Sequence, residues 1–492
     1  MRKSRVKMTK SVRRYAAIDQ GTSSTRIITF DEFSDYSQLC TGLGIKHEQI
    51  TPKRGWVEHN PLEILGNIKR CLLSVNSIDA LGLCHQGESV VAWDGATGRP
   101  IYNAIVWQDQ RTEAALHQLK KDNLEPLVIA RTGLPLDPYF SASKIGWIIE
   151  NAPEAKTLLS KGRLRVGTMD SFFMDHLCGS FLTDFNSASR TSLFNIHTMT
   201  WDPELCEIFG VPIQCLPEIR SNIGEFGIVH GGLKPLPLTA CIVDQFAGVY
   251  GHGCREPGDT KITFGTGAFI QSLTSEKVLD QKKTGLLPTL CWKLPNENPM
   301  FGLDGGVYNA ASAVDWAKGL GLFESYDELE NFGSEYAIHK GVAFVPALSG
   351  LACPYWDRSA AGLWAGLSLE VDKKDLLQSI LEGVAVRAAE VIQAMEEAVS
   401  LGNSISIDGG LSNNNYFKQF LANILSKTIK TPSNKEITGL GTILLARRGC
   451  GENRISEVLR QDEIIEPNND YSDDVIGLYK SIIQKSRGLR RT

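Results

Sequence analysis

A chain of 492 residues is longer than one hydrophobic core sustains, so two domains or more are expected. Its 42% hydrophobic and 22% charged content is ordinary for a soluble globular enzyme, and a net charge of −5 argues against a general nucleic-acid binder. No run approaches the ~18 apolar residues of a membrane span, and eleven scattered cysteines without a Cys-x-x-Cys pair exclude a disulfide scaffold and the usual zinc site.

The charge is uneven. Residues 1–14 carry Arg2, Lys3, Arg5, Lys7, Lys10, Arg13 and Arg14 and no acid, leaving about −12 on the remainder. Lys485, Arg487, Arg490 and Arg491 make the other end basic too. Both ends read as solvated tails, and Met8 is a candidate natural start. No apolar run follows the first basic residues, so they are not a secretory signal. The expectation is a cytoplasmic protein with reduced thiols.

Tyr15-Ala16-Ala17-Ile18 reads as a strand and Ile27-Ile28-Thr29-Phe30 as its partner. Between them, residues 19–26 pack a carboxylate (Asp19), Gly21, four hydroxyls and Arg26 into one turn. Gly21 lets the backbone approach a ligand, and consecutive amides and hydroxyls form a concave anion site. A phosphate-and-magnesium turn and a Ser/Thr-rich surface hairpin are both open readings of this stretch alone.

Asn60 is placed to cap a helix opening at Pro61, with Ile64, Leu65, Ile68, Cys71 and Leu72 at helical spacing. A strand over residues 78–83 delivers Cys84-His85-Gln86-Gly87-Glu88-Ser89 at its carboxyl end, where α/β sheets gather ligand groups. Ala104-Ile105-Val106-Trp107 runs likewise into Gln108-Asp109-Gln110-Arg111. Strands and helices alternate to about residue 250, and then the pattern restarts. Thr239-Ala240-Cys241-Ile242-Val243 ends at Asp244-Gln245. Lys261-Ile262-Thr263-Phe264 leads into a second glycine-and-hydroxyl hairpin, Gly265-Thr266-Gly267-Ala268-Phe269. Ser404-Ile405-Ser406-Ile407 alternates cleanly before Asp408-Gly409-Gly410 and a helix near Asn413. Two α/β halves, each opening with a phosphate-type hairpin, suggest a duplicated architecture closing on a nucleotide, with a boundary near residues 246–256.

These residues resemble the FGGY carbohydrate kinases, and within them the glycerol-phosphorylating branch. Residues 19–26 resemble the family's first phosphate motif. Residues 139–151, from Tyr139-Phe140-Ser141 through Lys144 to Asn151, are similar to the first FGGY signature. Gly362-Leu363-Trp364-Ala365-Gly366-Leu367, followed by Asp375-Leu376 and Ser379-Ile380-Leu381-Glu382, is similar to the second. Residues 55–59, 102–108, 186–197 and 354–357 resemble the glycerol branch in particular. The likeness covers the chain from Tyr15 to about Gly449.

The resemblance implies an α/β chain of two actin/hexokinase/Hsp70-like (ribonuclease H-like) domains with ATP in the interdomain cleft. It implies a basic disordered tail over residues 1–13 and an N-terminal kinase domain over 14–250. A C-terminal nucleotide-binding domain over 251–465 and a last helix with its basic tail over 466–492 follow. The implied reaction is ATP- and Mg2+-dependent phosphorylation of a primary hydroxyl, with glycerol giving glycerol 3-phosphate. A longer polyol or a sugar of four to six carbons is the alternative acceptor, and a non-transferring ATPase or nucleotide-binding relative is the alternative outside transfer chemistry. The implied partners are a small polyol or sugar and a second copy of the chain in a homodimer or tetramer, with no nucleic acid and no membrane.

Carried over residue by residue, Asp244 is the catalytic base and Asp19 with Asp244 the magnesium side. Thr22, Ser23, Ser24, Arg26, Thr266 and Gly267 are the phosphate contacts. Gly409, Gly410 and Asn414 face the adenosine, with Ala311 and Asp315 standing where this branch has Gly and Gln near the nucleotide. Gly87, Glu88, Trp107, Tyr139, Asp244, Gln245 and Phe269 form the acceptor site. The informative departure is Gly87: the glycerol branch reads Asn-Gln-Arg-Glu where this chain reads His85-Gln86-Gly87-Glu88. The missing arginine removes a hydroxyl partner and leaves room that a longer acceptor would fill, unless another cation substitutes.

Overall fold

The structure is a computed structural model that describes residues 13–32, 37–230, 234–275, 285–333, 335–452, 462–468 and 472–490. The basic residues Arg2, Lys3, Arg5, Lys7 and Lys10, Met8, and the ends Arg491 and Thr492 lie outside the described residues. The chain divides into two compact units. Unit 1 comprises Met1–Gly253, Leu290–Pro299 and Glu436–Val458; unit 2 comprises Cys254–Thr289, Met300–Lys435 and Leu459–Thr492.

Unit 1 is built on a six-stranded sheet of β1 (Arg13–Gln20), β2 (Ser24–Glu32), β3 (Ser37–Lys46), β4 (Ala80–His85), β5 (Ile223–Val229) and β6 (Leu236–Val243), ordered β5-β6-β4-β1-β2-β3. β1 pairs antiparallel with β2 and parallel with β4, and β6 pairs parallel with β4. Alternate residues of β1 point to opposite faces. Ala16 and Ile18 join one core with Ile64, Leu65, Ile68, Phe172 and Phe173, while Tyr15 and Ala17 join another with Ile28, Phe30 and Ile443. Burial on both faces explains why the strand reads as a continuous apolar run rather than an alternation.

Helix α1 (Pro61–Leu73) starts as its sequence dictates: Asn60 Oδ1 accepts from the Leu62 and Glu63 amides at 3.0 and 3.3 Å, with Pro61 in the first turn. Further along, α2 (Ser141–Asn151), α3 (Met169–Cys178), α4 (Phe185–Ser189) and α5 (Asp244–Gly251) belong to the same unit. A smaller four-stranded sheet orders Glu58–His59, Ala104–Ile105, Val90–Asp94 and Leu164–Thr168.

Unit 2 carries most of a seven-stranded sheet of β7 (Thr260–Phe264), β8 (Ala268–Thr274), β9 (Leu287–Trp292), β10 (Met300–Val307), β11 (Ser404–Gly409), β12 (Thr428–Pro432) and β13 (Asp462–Ile465), ordered β9-β10-β8-β7-β11-β12-β13. Helices α6 (Ala311–Gly319), α7 (Lys373–Glu396) and α8 (Asn415–Leu425) pack on it, α7 being buried along most of its length.

The last helix of unit 1, α9 (Ile437–Gly449), comes from the far end of the chain and packs on β1, β4, β6 and α5. Helix α10 (Ser472–Ser486) then closes the described chain, within unit 2. Among the described residues no helix is long and apolar enough to cross a membrane.

Candidate active site

Three parallel neighbours of unit 1 end side by side: Gln20 and Val243 are both in register with His85. The residues that emerge at these carboxyl ends are Asp19, the Gln86-Gly87-Glu88 turn and Asp244, the arrangement by which open α/β sheets build ligand sites.

Asp19 is buried and held by Arg26, its register partner on β2. Arg26 Nη2 donates to Asp19 Oδ2 at 2.6 Å, and Nη1 donates to Glu436 at 3.1 Å. Arg26, expected among the phosphate contacts, thus has its guanidinium fixed between two carboxylates of unit 1. Cys84, also in register with Asp19, has its thiol pushed well above the usual range by burial and then by the Asp19 charge, so it stays an inert thiol.

Asp244 is the first residue of α5, immediately after β6. It keeps some exposure yet sits deep among protein atoms. Burial first and the nearby Asp19 charge second push its carboxyl up to about 7, against the lowering effects of His85 and the Gln245 amide. That amide donates to Asp244 Oδ1 at 2.7 Å and fixes the carboxylate rotamer. The position of α5 is set by α9. A Cβ on Gly441 would lie 1.9 Å from the Ala247 carbonyl oxygen, and one on Gly251 would lie 2.0 Å from that of Ile437, so the two backbones touch where they cross.

Glu88 stands at φ 55°, a left-handed backbone unusual for a side-chain-bearing residue and often found at binding turns. Its carboxylate is buried against Arg190, whose Nε donates to Oε1 at 2.6 Å. Arg190, the residue after α4, spreads its guanidinium over the rings of Tyr139 and Phe140 at 5.8 and 5.4 Å. Tyr139 meets Trp107 edge to face at 5.5 Å, and Trp107 Nε1 donates to Thr22 Oγ1 at 3.1 Å. Thr22, Trp107, Tyr139, Arg190 and Glu88 therefore form one connected wall. Ser23 and Ser24 stay on the open side of the turn, which the Gly21 amide closes onto the Ser24 carbonyl at 3.0 Å. Lys144 is buried beneath the wall. Its Nζ donates at 2.7 Å to the carbonyls of Pro138, Tyr139 and Phe140, while burial pulls its pKa down to about 7 against the raising influence of Glu88 and Asp109.

Gly87 does not leave the open room that its sequence suggests. A Cβ there would lie 2.9 Å from Val243 Cγ1, so the valine before Asp244 fills that direction.

Beneath the turn, His85, Asp170, Asp184 and Cys241 bring their polar atoms within 4.8 Å of one another, fully buried. Each carboxylate oxygen there accepts a protein hydrogen bond. Thr168 and Thr183 donate to Asp170, and Ser187 and Asn222 donate to Asp184. His85 Nε2 lies 2.9 Å from Ser187 Oγ. Burial and the Asp170 charge raise the Asp184 carboxyl. This network braces the strand end that carries Gln86, Gly87 and Glu88.

In unit 2, Phe264 is in register with Gly409, so the turn after β7 and the turn after β11 leave the same end of the sheet. The Thr266 carbonyl accepts from the Ala310 amide at 2.9 Å and from Ser312 Oγ at 2.8 Å, and the Gly265 carbonyl accepts from the Ala311 amide at 2.9 Å. This seats the 265–267 turn on the start of α6. Gly267 is required there, since a Cβ would meet the Val307 and Tyr308 carbonyl oxygens at 2.6 and 3.1 Å. Gly410 opens a short 3-10 turn that ends at Asn413, and Asn414 caps α8 through the Phe417 amide while its Nδ2 donates to the Leu329 carbonyl at 2.8 Å. Thr266, Gly267, Ala311 and Gly410 are thus gathered at one end of the unit. Asp315 is exposed on α6 and accepts from the Tyr326 hydroxyl at 3.0 Å. Phe269 is half-buried on β8, in register with Thr263 and Gly306.

Residues 14–251 match the model for the N-terminal domain of the FGGY family of carbohydrate kinases, and residues 260–450 match that for its C-terminal domain. The chain belongs to the FGGY family of carbohydrate kinases. Among relatives of this FGGY kinase, the glycerol kinase of Francisella philomiragia is 36% identical over 96% of this chain and 98% of its own. That of Bdellovibrio bacteriovorus is 38% identical over 88% and 90%. The crystal structure of Plasmodium falciparum glycerol kinase with ADP superposes with a TM-score of 0.88 at 30% identity, covering 96% of this chain and 98% of that one. The fold is the two-domain, actin/hexokinase-like fold of sugar kinases.

Two groups in the FGGY kinase site were not singled out from the sequence. Lys144 had a usable signal: it sits on the apolar face of α2 with Ile145, Ile148 and Ile149, where a lysine is rarely buried without a task. Arg190 lies in the stretch 186–197 that resembles the glycerol branch, but nothing in that stretch marks it as a partner of Glu88. Only the fold brings it to Glu88.

Proposed function

We propose that this FGGY kinase transfers the γ-phosphoryl group of ATP to a primary hydroxyl of glycerol, giving glycerol 3-phosphate. The observation that carries the reading is Asp244, a carboxylate at a strand end beside the Glu88, Trp107, Tyr139 and Arg190 wall, pushed up to about 7 by burial and then by the Asp19 charge. A base is most effective when its pKa lies near the working pH. Asp244 takes the proton of the attacking hydroxyl, and Gln245 orients the acceptor beside it. Glu88 accepts from the acceptor's remaining hydroxyls, and Trp107 and Tyr139 cover its carbon edge.

Phosphoryl transfer asks for positioning and charge neutralisation more than covalent chemistry. Thr22, Ser23, Ser24, Thr266 and Gly267 are assigned to the phosphates, with Arg26 acting through Asp19. Gly409, Gly410, Ala311, Asp315 and Asn414 are assigned to the nucleoside side. Asp19 and Asp244 suit a magnesium ion, being paired carboxylates at strand ends whose charges already repel. Magnesium, when bound there, supplies positive charge to the phosphates. The enzyme is assigned to the cytoplasm and to a homodimer or tetramer, with the chain first passing from one domain to the other near residue 250.

An ADP-coupled assay with three- to six-carbon polyols and sugars tests the reading. Glycerol-dependent ADP release that needs magnesium and collapses in Asp244→Asn supports it. ATP hydrolysis that no acceptor stimulates would overturn it.

A further inference from the structure

We infer that Gly87 and Val243 are a size-coupled pair that sets acceptor specificity by closing the route through which a side chain at position 87 would reach the acceptor. This rests on the kinase reading above. The route is blocked at its first atom, for a Cβ at 87 would sit 2.9 Å from Val243 Cγ1 and 3.7 Å from Cγ2. Both residues are placed by the same sheet. Val243 is in register with His85 across β6 and β4, and Gly87 follows two residues after that strand end. Both backbones are held in place. The Gln86 amide is tied to the Gln20 carbonyl at 2.7 Å, the Ser89 amide to the Gly87 carbonyl at 2.6 Å, and Val243 is followed at once by Asp244.

The turn does not need a cation at 87 for its own charge balance. Glu88 already has Arg190 on Oε1, from a different element and with both side chains almost fully buried. What the pair removes is a donor for an acceptor hydroxyl, and what it installs is hydrocarbon. A site built to hydrogen-bond a hydroxyl rejects the analogue lacking it by large factors, whereas an apolar wall discriminates weakly. The acceptor class that follows is a small three-carbon diol or triol, held by Glu88 and the aromatic wall, with one hydroxyl position read loosely. A longer acceptor gains no extra volume at this point, because Val243 occupies it.

The test is a cycle of Gly87→Arg, Val243→Ala and the double variant, assayed with glycerol, propane-1,2-diol and propane-1,3-diol. The parent is expected to prefer glycerol over the better diol by less than about tenfold in kcat/KM. Gly87→Arg alone loses most activity. The double variant regains it and prefers glycerol by about a hundredfold or more. Effects of the two changes that simply add, or an unchanged glycerol-to-diol ratio in an active double variant, would overturn the pair as a specificity device.

A second measurement is independent of turnover. Gly87→Ala is expected to lower the unfolding midpoint by about 3 °C or more, and Val243→Ala to restore most of that loss when combined with it. No restoration would overturn the steric coupling. A parent with no acceptor-dependent ADP release would sink the kinase reading instead, leaving the unfolding cycle to judge the contact.

Discussion

Arg190 Nε lies 2.6 Å from Glu88 Oε1, with the arginine 1% and the glutamate 4% exposed. A pair this dry is strongly destabilising to break from one side, because the survivor keeps a buried charge; such losses run to ~3–5 kcal/mol. Arg190→Met should therefore lower the unfolding midpoint sharply. Glu88→Gln with Arg190→Met should recover much of it. Activity should not return in the double variant, since Glu88 is also assigned to the acceptor. Calorimetry beside acceptor kinetics separates the two effects, and full activity in the double variant would remove Glu88 from the site.

Burial first and the Asp19 charge second push the Asp244 carboxyl from its ordinary 3.8 up to about 7. The folded state therefore holds its proton more tightly than the unfolded state does. This residue's contribution to stability declines as pH rises from about 4 through about 7. Activity runs the other way, because the base must be ionised: kcat/KM should rise with pH on the acid side of that value. Asp244→Asn should lose about 10²–10⁴ in kcat while unfolding at a higher temperature than the parent at pH 8. Paired pH–rate and pH–melting curves check both. A parent-like rate in the variant would exclude Asp244 as the base.

Gly441 in α9 touches the backbone of α5, the helix that begins at Asp244. Gly441→Ala must push the two helices apart, at a cost of ~1–3 kcal/mol or more. The base moves with its helix, so kcat should fall while the KM for ATP changes little. Steady-state kinetics with either substrate varied distinguishes this from general unfolding.

Gly267 faces carbonyl oxygens of residues 307 and 308 with no room for a methyl group. Gly267→Ala should displace the 265–267 turn from the start of α6 and raise the KM for ATP tenfold or more, about 1.4 kcal/mol. The acceptor KM should stay near that of the parent. An increase confined to the acceptor would argue that this turn does not hold phosphate.

Much of this was legible in the sequence because the signals are local. Asn60 and Pro61 announce a helix start through their own side chains, and the polar runs after 83 and 243 stand out against apolar strands. Asp19 and Asp244 are exposed by the same contrast. What stayed hidden depends on distant pairing. Arg190 acquires meaning only when the fold sets it against Glu88. The room at Gly87 looked empty because nothing nearby in sequence says that Val243 points into it. Nor does the local sequence mark the close approaches by which Gly439 faces Ile28 and Gly441 faces Ala247.

The seating of α9 on the first sheet also has a bearing on biosynthesis. Ile443 belongs to the core that buries Tyr15, Ala17, Ile28 and Phe30. A nascent chain that has emerged only as far as Gly253 carries all six strands of that sheet but lacks the helix that covers one face. Until residues 437–449 leave the ribosome, that apolar face has no cover of its own, and chaperones that hold exposed hydrophobic surface have their longest opportunity there.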